Sequence, residues 1–156
     1  MSGRPGDDER PTVLLVEDSP TDAELVLIAI QQARSDVAVE VVNSGEAALR
    51  YLYRDGEHVD APTPALVLLD FNLPGRSGVE VLELVKSDEA LRSIPIVMFS
   101  NSNAGSDVAT AYRHHANAYL LKPMEYADIK ESLTALLAFW LDWACSPTAD
   151  RVAPPA

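Results

Sequence analysis

Apolar residues fall along the chain in two alternating patterns. Short apolar runs, TVLLV (12–16), VAVEVV (37–42), ALVLLD (65–70), IPIVMFS (94–100) and AYLL (118–121), have the length and makeup of buried strands. Between them lie longer segments with apolar residues at helical spacing: 19–34, 44–54, 78–87, about 104–115 and 125–144. Ser19 followed by Pro20 marks the first helix start, because serine accepts from the free amides of a first turn and proline suits its opening position. DGEHVDAPTP (55–64) reads as a loop by composition. Five strand–helix alternations predict a parallel sheet with helices on both faces.

Sheets of this kind carry their sites beyond the carboxyl ends of the strands. The residues there are Glu17 and Asp18 after the first strand, Asp70 after the third, Ser100 after the fourth and Lys122 after the fifth. Taken singly, each has an ordinary explanation as a turn, cap or loop residue. All five at equivalent strand ends make a site. Three adjacent acids repel one another and need counter-charge. Lys122 supplies one positive charge, and a hard divalent cation with oxygen ligands supplies the rest, Mg2+ being suited to few carboxylates plus phosphate and water. A carboxylate beside Mg2+ and lysine is equipped to attack phosphorus, and Ser100 to donate a hydrogen bond to a phosphoryl oxygen.

Composition narrows the function classes. The 156 residues fit one domain with a full core, and 47% hydrophobic with 23% charged is ordinary for a globular chain. The net charge of -12, from 24 acids against 12 Lys and Arg, argues against nucleic acid and anionic membrane as partners. The lone Cys145 cannot pair internally, so a reducing compartment, the cytoplasm, is expected. Residues 1–10 read as a disordered lead-in, not a signal peptide.

VED (16–18), LLDFNLPGRSG (68–78), FSNS (99–102) and YLLKP (119–123), with Asp70 and Ser100 30 positions apart and Ser100 and Lys122 22 apart, resemble the receiver domain of two-component response regulators over roughly 12–143. The resemblance implies a flavodoxin-like α/β fold, a doubly wound five-stranded parallel sheet of order 2-1-3-4-5 with five helices. The domain would span 11–145, with 146–156 a flexible tail. It implies that Asp70 is the phosphoacceptor, charged by a sensor histidine kinase. Asp18, Asp70 and the backbone carbonyl of Asn72 would contact Mg2+ directly, with Glu17 acting mainly through water. Ser100 and Tyr119 would form the switch pair, and Lys122–Pro123 would be a cis peptide. The long 55–64 loop, VEDSPTD (16–22) and AFW (138–140) are similar to the regulators that partner bacterial phytochromes.

His114 and His115 stand where the family often has Leu-Gly, so His115 is expected to end its helix in the left-handed conformation. Only 13 residues follow Trp143, too few for an output domain, so the expected output is a protein contact. The last helix offers one. Ile129, Leu133, Leu136, Leu137, Trp140 and Ala144 form its sheet-facing stripe, leaving Phe139 and Trp143 on a second face suited to a homodimer. Three rivals stand against the receiver. A haloacid dehalogenase-type phosphatase needs an acid at position 72, where Asn cannot carry the proton. A non-phosphorylated pseudo-receiver would normally lack the aspartate or lysine. A flavin mononucleotide protein needs a phosphate cradle where this chain has EDSPTD (17–22), which repels phosphate.

Overall fold

The computed structural model describes residues 10–147, so most of the expected lead-in and tail lies outside the described residues. Five strands, β1 (Thr12–Val16), β2 (Ala38–Val42), β3 (Leu66–Leu69), β4 (Ile96–Ser100) and β5 (Ala118–Leu121), alternate with α1 (Pro20–Ala33), α2 (Gly45–Leu52), α3 (Gly78–Ser87), α4 (Gly105–Arg113) and α5 (Tyr126–Leu137). All neighbours pair in parallel, in the order β2-β1-β3-β4-β5. This is the doubly wound flavodoxin-like fold.

The central strands are apolar on both sides because each side meets its own helical layer. Leu14, Val16, Val67, Leu69, Ile96 and Met98 face α2, α3 and α4, packing on Ala48, Leu52, Val81, Leu82, Val85 and Ala111. The intervening Val13, Leu15, Leu66, Leu68, Val97 and Phe99 face α1 and α5, packing on Ala23, Val26, Ile30, Ile129, Leu133 and Leu137. Each large apolar side chain so buried contributes about 1.5–3 kcal/mol. The edge strands differ: Glu40, Val41 and Leu121 are exposed, since no further strand covers them.

The helix starts follow local chemistry. Ser19, Ser44 and Ser77 each accept from an amide in the first turn of the helix they precede. His115 has φ 73°, the expected left-handed residue after α4. Within the 55–64 loop, Gly56–His58 forms a short 3-10 turn. The last helix is not the single α-helix expected over 125–144. α5 stops at Leu137, and Ala138–Trp143 makes a wider π-helical turn closed by Ala144 N–H donating to Phe139 O at 2.8 Å. The wide turn carries Asp142, which binds Arg34 at the end of α1 at 2.9 Å. Ala144 therefore leaves the helix in extended conformation instead of joining the sheet-facing stripe, while Leu136 and Trp140 pack as expected.

Candidate functional site

The parallel register brings the carboxyl ends of the strands level. Val16 lies opposite Leu69, Leu69 opposite Met98 and Met98 opposite Tyr119. Glu17, Asp18 and Asp70 thus emerge side by side, with Ser100 and Lys122 on the same rim. Asp70 is held at a tight turn. Its Oδ1 accepts from Asn72 N–H at 3.1 Å, and Gly78 lies so close behind that an added Cβ would sit 2.2 Å from the Asp70 carbonyl oxygen. Gly75, at φ 71°, completes the reversal in a conformation that glycine adopts freely. The sharp turn after the third strand thereby presents the carboxylate and brings α3 back beneath it.

Glu17 and Asp70 are buried, at 4% and 8% exposure, while Asp18 is exposed. Lys122 Nζ reaches Glu17 Oε2 at 2.5 Å and Asp70 Oδ2 at 3.3 Å. Glu17 Oε1 accepts from Ser19 N–H at 3.1 Å, so both its oxygens are engaged. Burial pushes the Glu17 carboxyl above its ordinary value against the hydrogen bond from Lys122. For Lys122 burial pulls downward, but the hydrogen bond and charge of Glu17 and the charge of Asp70 outweigh it and hold the ammonium above its usual range.

Oxygens of Glu17, Asp18 and Asp70 all lie within 4.8 Å of one another, a hard-oxygen set that fits a divalent cation. One buried ammonium among three carboxylates leaves negative charge for such an ion to balance.

Beside this cluster, Ser100 is fully buried and its Oγ accepts from Ser102 N–H at 3.1 Å. Among the described residues its own proton has no acceptor. Tyr119 is half-buried and packs edge-on against Phe71 at 6.1 Å between ring centres. Its hydroxyl donates to Ser102 O at 2.8 Å.

The structure thus brings together Glu17, Asp18, Asp70 and Lys122 directly, and joins Ser100 to Tyr119 through Ser102. One expectation fails: Lys122–Pro123 is trans, for the described residues contain no cis peptide bond. Lys122 N–H continues the strand ladder by donating to Ser100 O at 2.8 Å, and the side chain reaches the acids from there. Two residues escaped sequence reasoning. Asp22, in the first turn of α1, lies 3.7 Å from Lys122 Nζ. Asp107 holds the Ser102 hydroxyl. Each is an acid in a first helical turn, where the dipole alone accounts for its presence.

A doubly wound sheet with three acids, a hydroxyl and a lysine on its carboxyl rim has the layout of a phosphoryl-accepting signalling domain. Comparison with known proteins agrees. The model of the response regulator receiver domain matches residues 13–134, and the chain belongs to that family. Its function is that of a response regulator receiver in two-component signalling, a signalling domain and not a classical enzyme.

The chain is 38% identical over 135 residues to the probable methanogenesis regulatory protein FilR2 of Methanothrix harundinacea, covering 86% of each. It is 36% identical over 137 residues to the response regulator Rcp1 of Synechocystis, covering 88% of this chain and 93% of Rcp1. The Mn2+-bound form of Rcp1 superposes with a TM-score of 0.80 at 35% identity, over 88% of this chain and 99% of that one. The phosphorylated cyanobacterial phytochrome response regulator RcpA superposes with a TM-score of 0.84 at 35% identity, with the same coverage.

Proposed function

We propose that Asp70 takes a phosphoryl group from the phosphohistidine of a sensor histidine kinase and that the aspartyl phosphate switches a protein contact. The observation that carries this is the buried Asp70 carboxylate, backed by Gly78, beside Lys122 and two further acids. In the transfer, an Asp70 oxygen attacks phosphorus in line, the P–N bond breaks, and the imidazole nitrogen keeps the electron pair and gains a proton.

Asp18, Asp70 and the Asn72 carbonyl would hold Mg2+, with Glu17 linked through water. The ion's contribution, when bound, is to neutralise charge developing on the phosphoryl oxygens. Lys122 answers that charge from the other side, and the Ser100 hydroxyl turns its free proton to a phosphoryl oxygen. Asn72 carries no transferable proton, so hydrolysis is limited to slow self-dephosphorylation. This separates the chain from dehalogenase-type phosphatases. Tyr119 would follow Ser100 and remodel the α4, β5 and α5 surface.

For the donor, we infer a phytochrome-type kinase, on the strength of the similarity to Rcp1 and RcpA. The donor's approach is served by a cavity of about 230 Å3 between α1 and the segment after β5, lined by Asp22, Leu25, Asn101, Lys122 and Met124. Met124 is 98% exposed there, an apolar contact in the same cavity as Lys122. We place the protein in the cytoplasm, in keeping with a free Cys145. Among the described residues no helix is long and apolar enough to cross a membrane. We propose a homodimer through Phe139 and Trp143, which are 55% and 80% exposed on the π-helical turn.

The test is labelling with acetyl phosphate and Mg2+. One base- and hydroxylamine-labile phosphoryl group should be added, lost with EDTA and absent in Asp70→Asn. A label that persists in Asp70→Asn would remove Asp70 as the acceptor.

A further inference from the structure

Ser102 has every polar group engaged, each with a different part of the switch. Its N–H donates to Ser100 Oγ at 3.1 Å, and its carbonyl accepts from Tyr119 OH at 2.8 Å. Its hydroxyl donates to Asp107 Oδ2 at 2.5 Å and accepts from Ala104 N–H at 3.3 Å. The β4–α4 loop is therefore tied at one residue to the strand-end hydroxyl, to the aromatic on β5 and to the first turn of α4.

The helix needs that tie. α4 follows Ala104, which has no side chain to cap it, and opens with Gly105. Asp107 is the third helical residue, where an acid favours the positive end of the helix dipole. Instead of capping its own first residue, it reaches back past the helix start to Ser102. The result is a capping box drawn one loop outward. The Ser102 amide and the Ser102–Asp107 bond thus connect Ser100 to the first turn of α4.

We propose that Asp107 is a positioning residue for the phosphoryl switch. Resting on the Asp70 reading above, this assigns it two tasks. It holds the 101–104 loop closed over the site, where Asn101 borders the same cavity as Lys122. It also joins Ser100 to α4, so that phosphorylation is felt at the helix. Loss of the phosphoryl group occurs when a water oxygen attacks phosphorus in line. The bond from phosphorus to the Asp70 oxygen then breaks, that oxygen keeps the electron pair as carboxylate, and the water proton passes to phosphate or solvent. An unlatched loop admits that water more readily.

The experiment uses the full chain labelled with acetyl phosphate and Mg2+, comparing wild type with Asp107→Ala, Asp107→Asn and Ser102→Ala. Label decay is followed after removal of the donor, and backbone amide exchange in 104–113 is measured with and without the label. Asp107→Ala and Ser102→Ala should each shorten the half-life by about five-fold, the lower range of a coupling between sites. In both, the change in α4 exchange on phosphorylation should disappear. Asp107→Asn retains an acceptor for the Ser102 hydroxyl and should stay within two-fold of wild type. The double variant Asp107→Ala/Ser102→Ala should decay no faster than Ser102→Ala, which already removes the shared contact along with the bond from Ala104.

A labelled wild type whose half-life and α4 response are unchanged in Asp107→Ala overturns this proposal and leaves Asp70 standing. A wild type that takes no label removes both. Should Asp107→Ala fold poorly, Asp107→Leu removes the same acceptor while leaving Ser102 and its bond from Ala104 in place, and decides.

Discussion

Gly78→Ala is the sharpest probe of how Asp70, the proposed acceptor, is held. Glycine to alanine early in a helix ordinarily stabilises by about 0.5–1 kcal/mol. Here the sign should reverse. The added Cβ would lie 2.2 Å from the Asp70 carbonyl oxygen and 3.0 Å from both the Cα and the carbonyl oxygen of Phe71. A comfortable carbon–oxygen contact is about 3.3 Å, so the Asp70 backbone must retreat by roughly 1 Å. All three neighbours are backbone atoms and none can rotate away. Such overpacking costs about 3 kcal/mol, the upper part of the usual range. For a domain of this size that is a fall in Tm of roughly 6–12 °C. If Asp70 is the nucleophile proposed above, displacement by that distance should slow labelling by about 100-fold. Gly75→Ala is the control. Its φ is 71°, but the nearest atom to an added Cβ is a Glu46 carboxylate oxygen at 3.8 Å. It should cost about 1–2 kcal/mol of backbone strain and leave labelling rate alone. Calorimetry and the acetyl phosphate assay read both. A Gly78→Ala protein melting within about 2 °C of wild type and labelling at the wild-type rate would refute the reasoning.

Two further outcomes are expected. Lys86 is pulled down to about 8 by burial, where its ammonium donates to Arg92 O, Ile94 O and Asn117 Oδ1 at 3.0, 2.9 and 2.9 Å. The unfolded chain therefore holds this proton more tightly than the folded one. Stability should rise between about pH 8 and 10.5 by roughly 2 kcal/mol after solvent screening, and a urea-melt series should show Lys86→Met lacking that rise. Light scattering should find a dimer in wild type and a monomer in Phe139→Ser/Trp143→Ser; a wild type that stays monomeric at high micromolar concentration, with and without label, would exclude the assembly.

The sheet was legible because its signals are local and redundant. Leu66–Leu69 must be apolar on both sides to sit between two helical layers, and the run says so in four letters. Strand bounds fall within one or two residues of the expected runs, with edge exposure as the main departure. The cluster of Glu17, Asp18, Asp70 and Lys122 was legible for a related reason: topology alone places strand ends together. What stayed hidden depends on side-chain reach or on chain geometry that no spacing encodes. The bond from Asp107 to Ser102 requires knowing that α4 begins after an uncapped Ala104. Asp22 reaches Lys122 across 100 residues of sequence. The apolar spacing over Ala138–Trp143 suits the α-helix expected there, and the π-helical turn shows only in the structure, where Ala144 N–H donates to Phe139 O.

The acids and the lysine on the rim belong to distant parts of the chain, Lys122 being 105 residues from Glu17 and 52 from Asp70. The 55–64 loop runs between them, with Val59 and Asp60 exposed. A nick there would leave Glu17, Asp18 and the first two strands on one fragment, and Asp70, Ser100 and Lys122 on the other. Neither fragment alone could make the pocket. They would meet along β1 and β3, through the pairs Val13–Leu66 to Val16–Leu69. Acceptance of phosphate by such a mixture would report noncovalent reassembly of the two pieces, which makes the chain a natural starting point for a split reporter read by a covalent label.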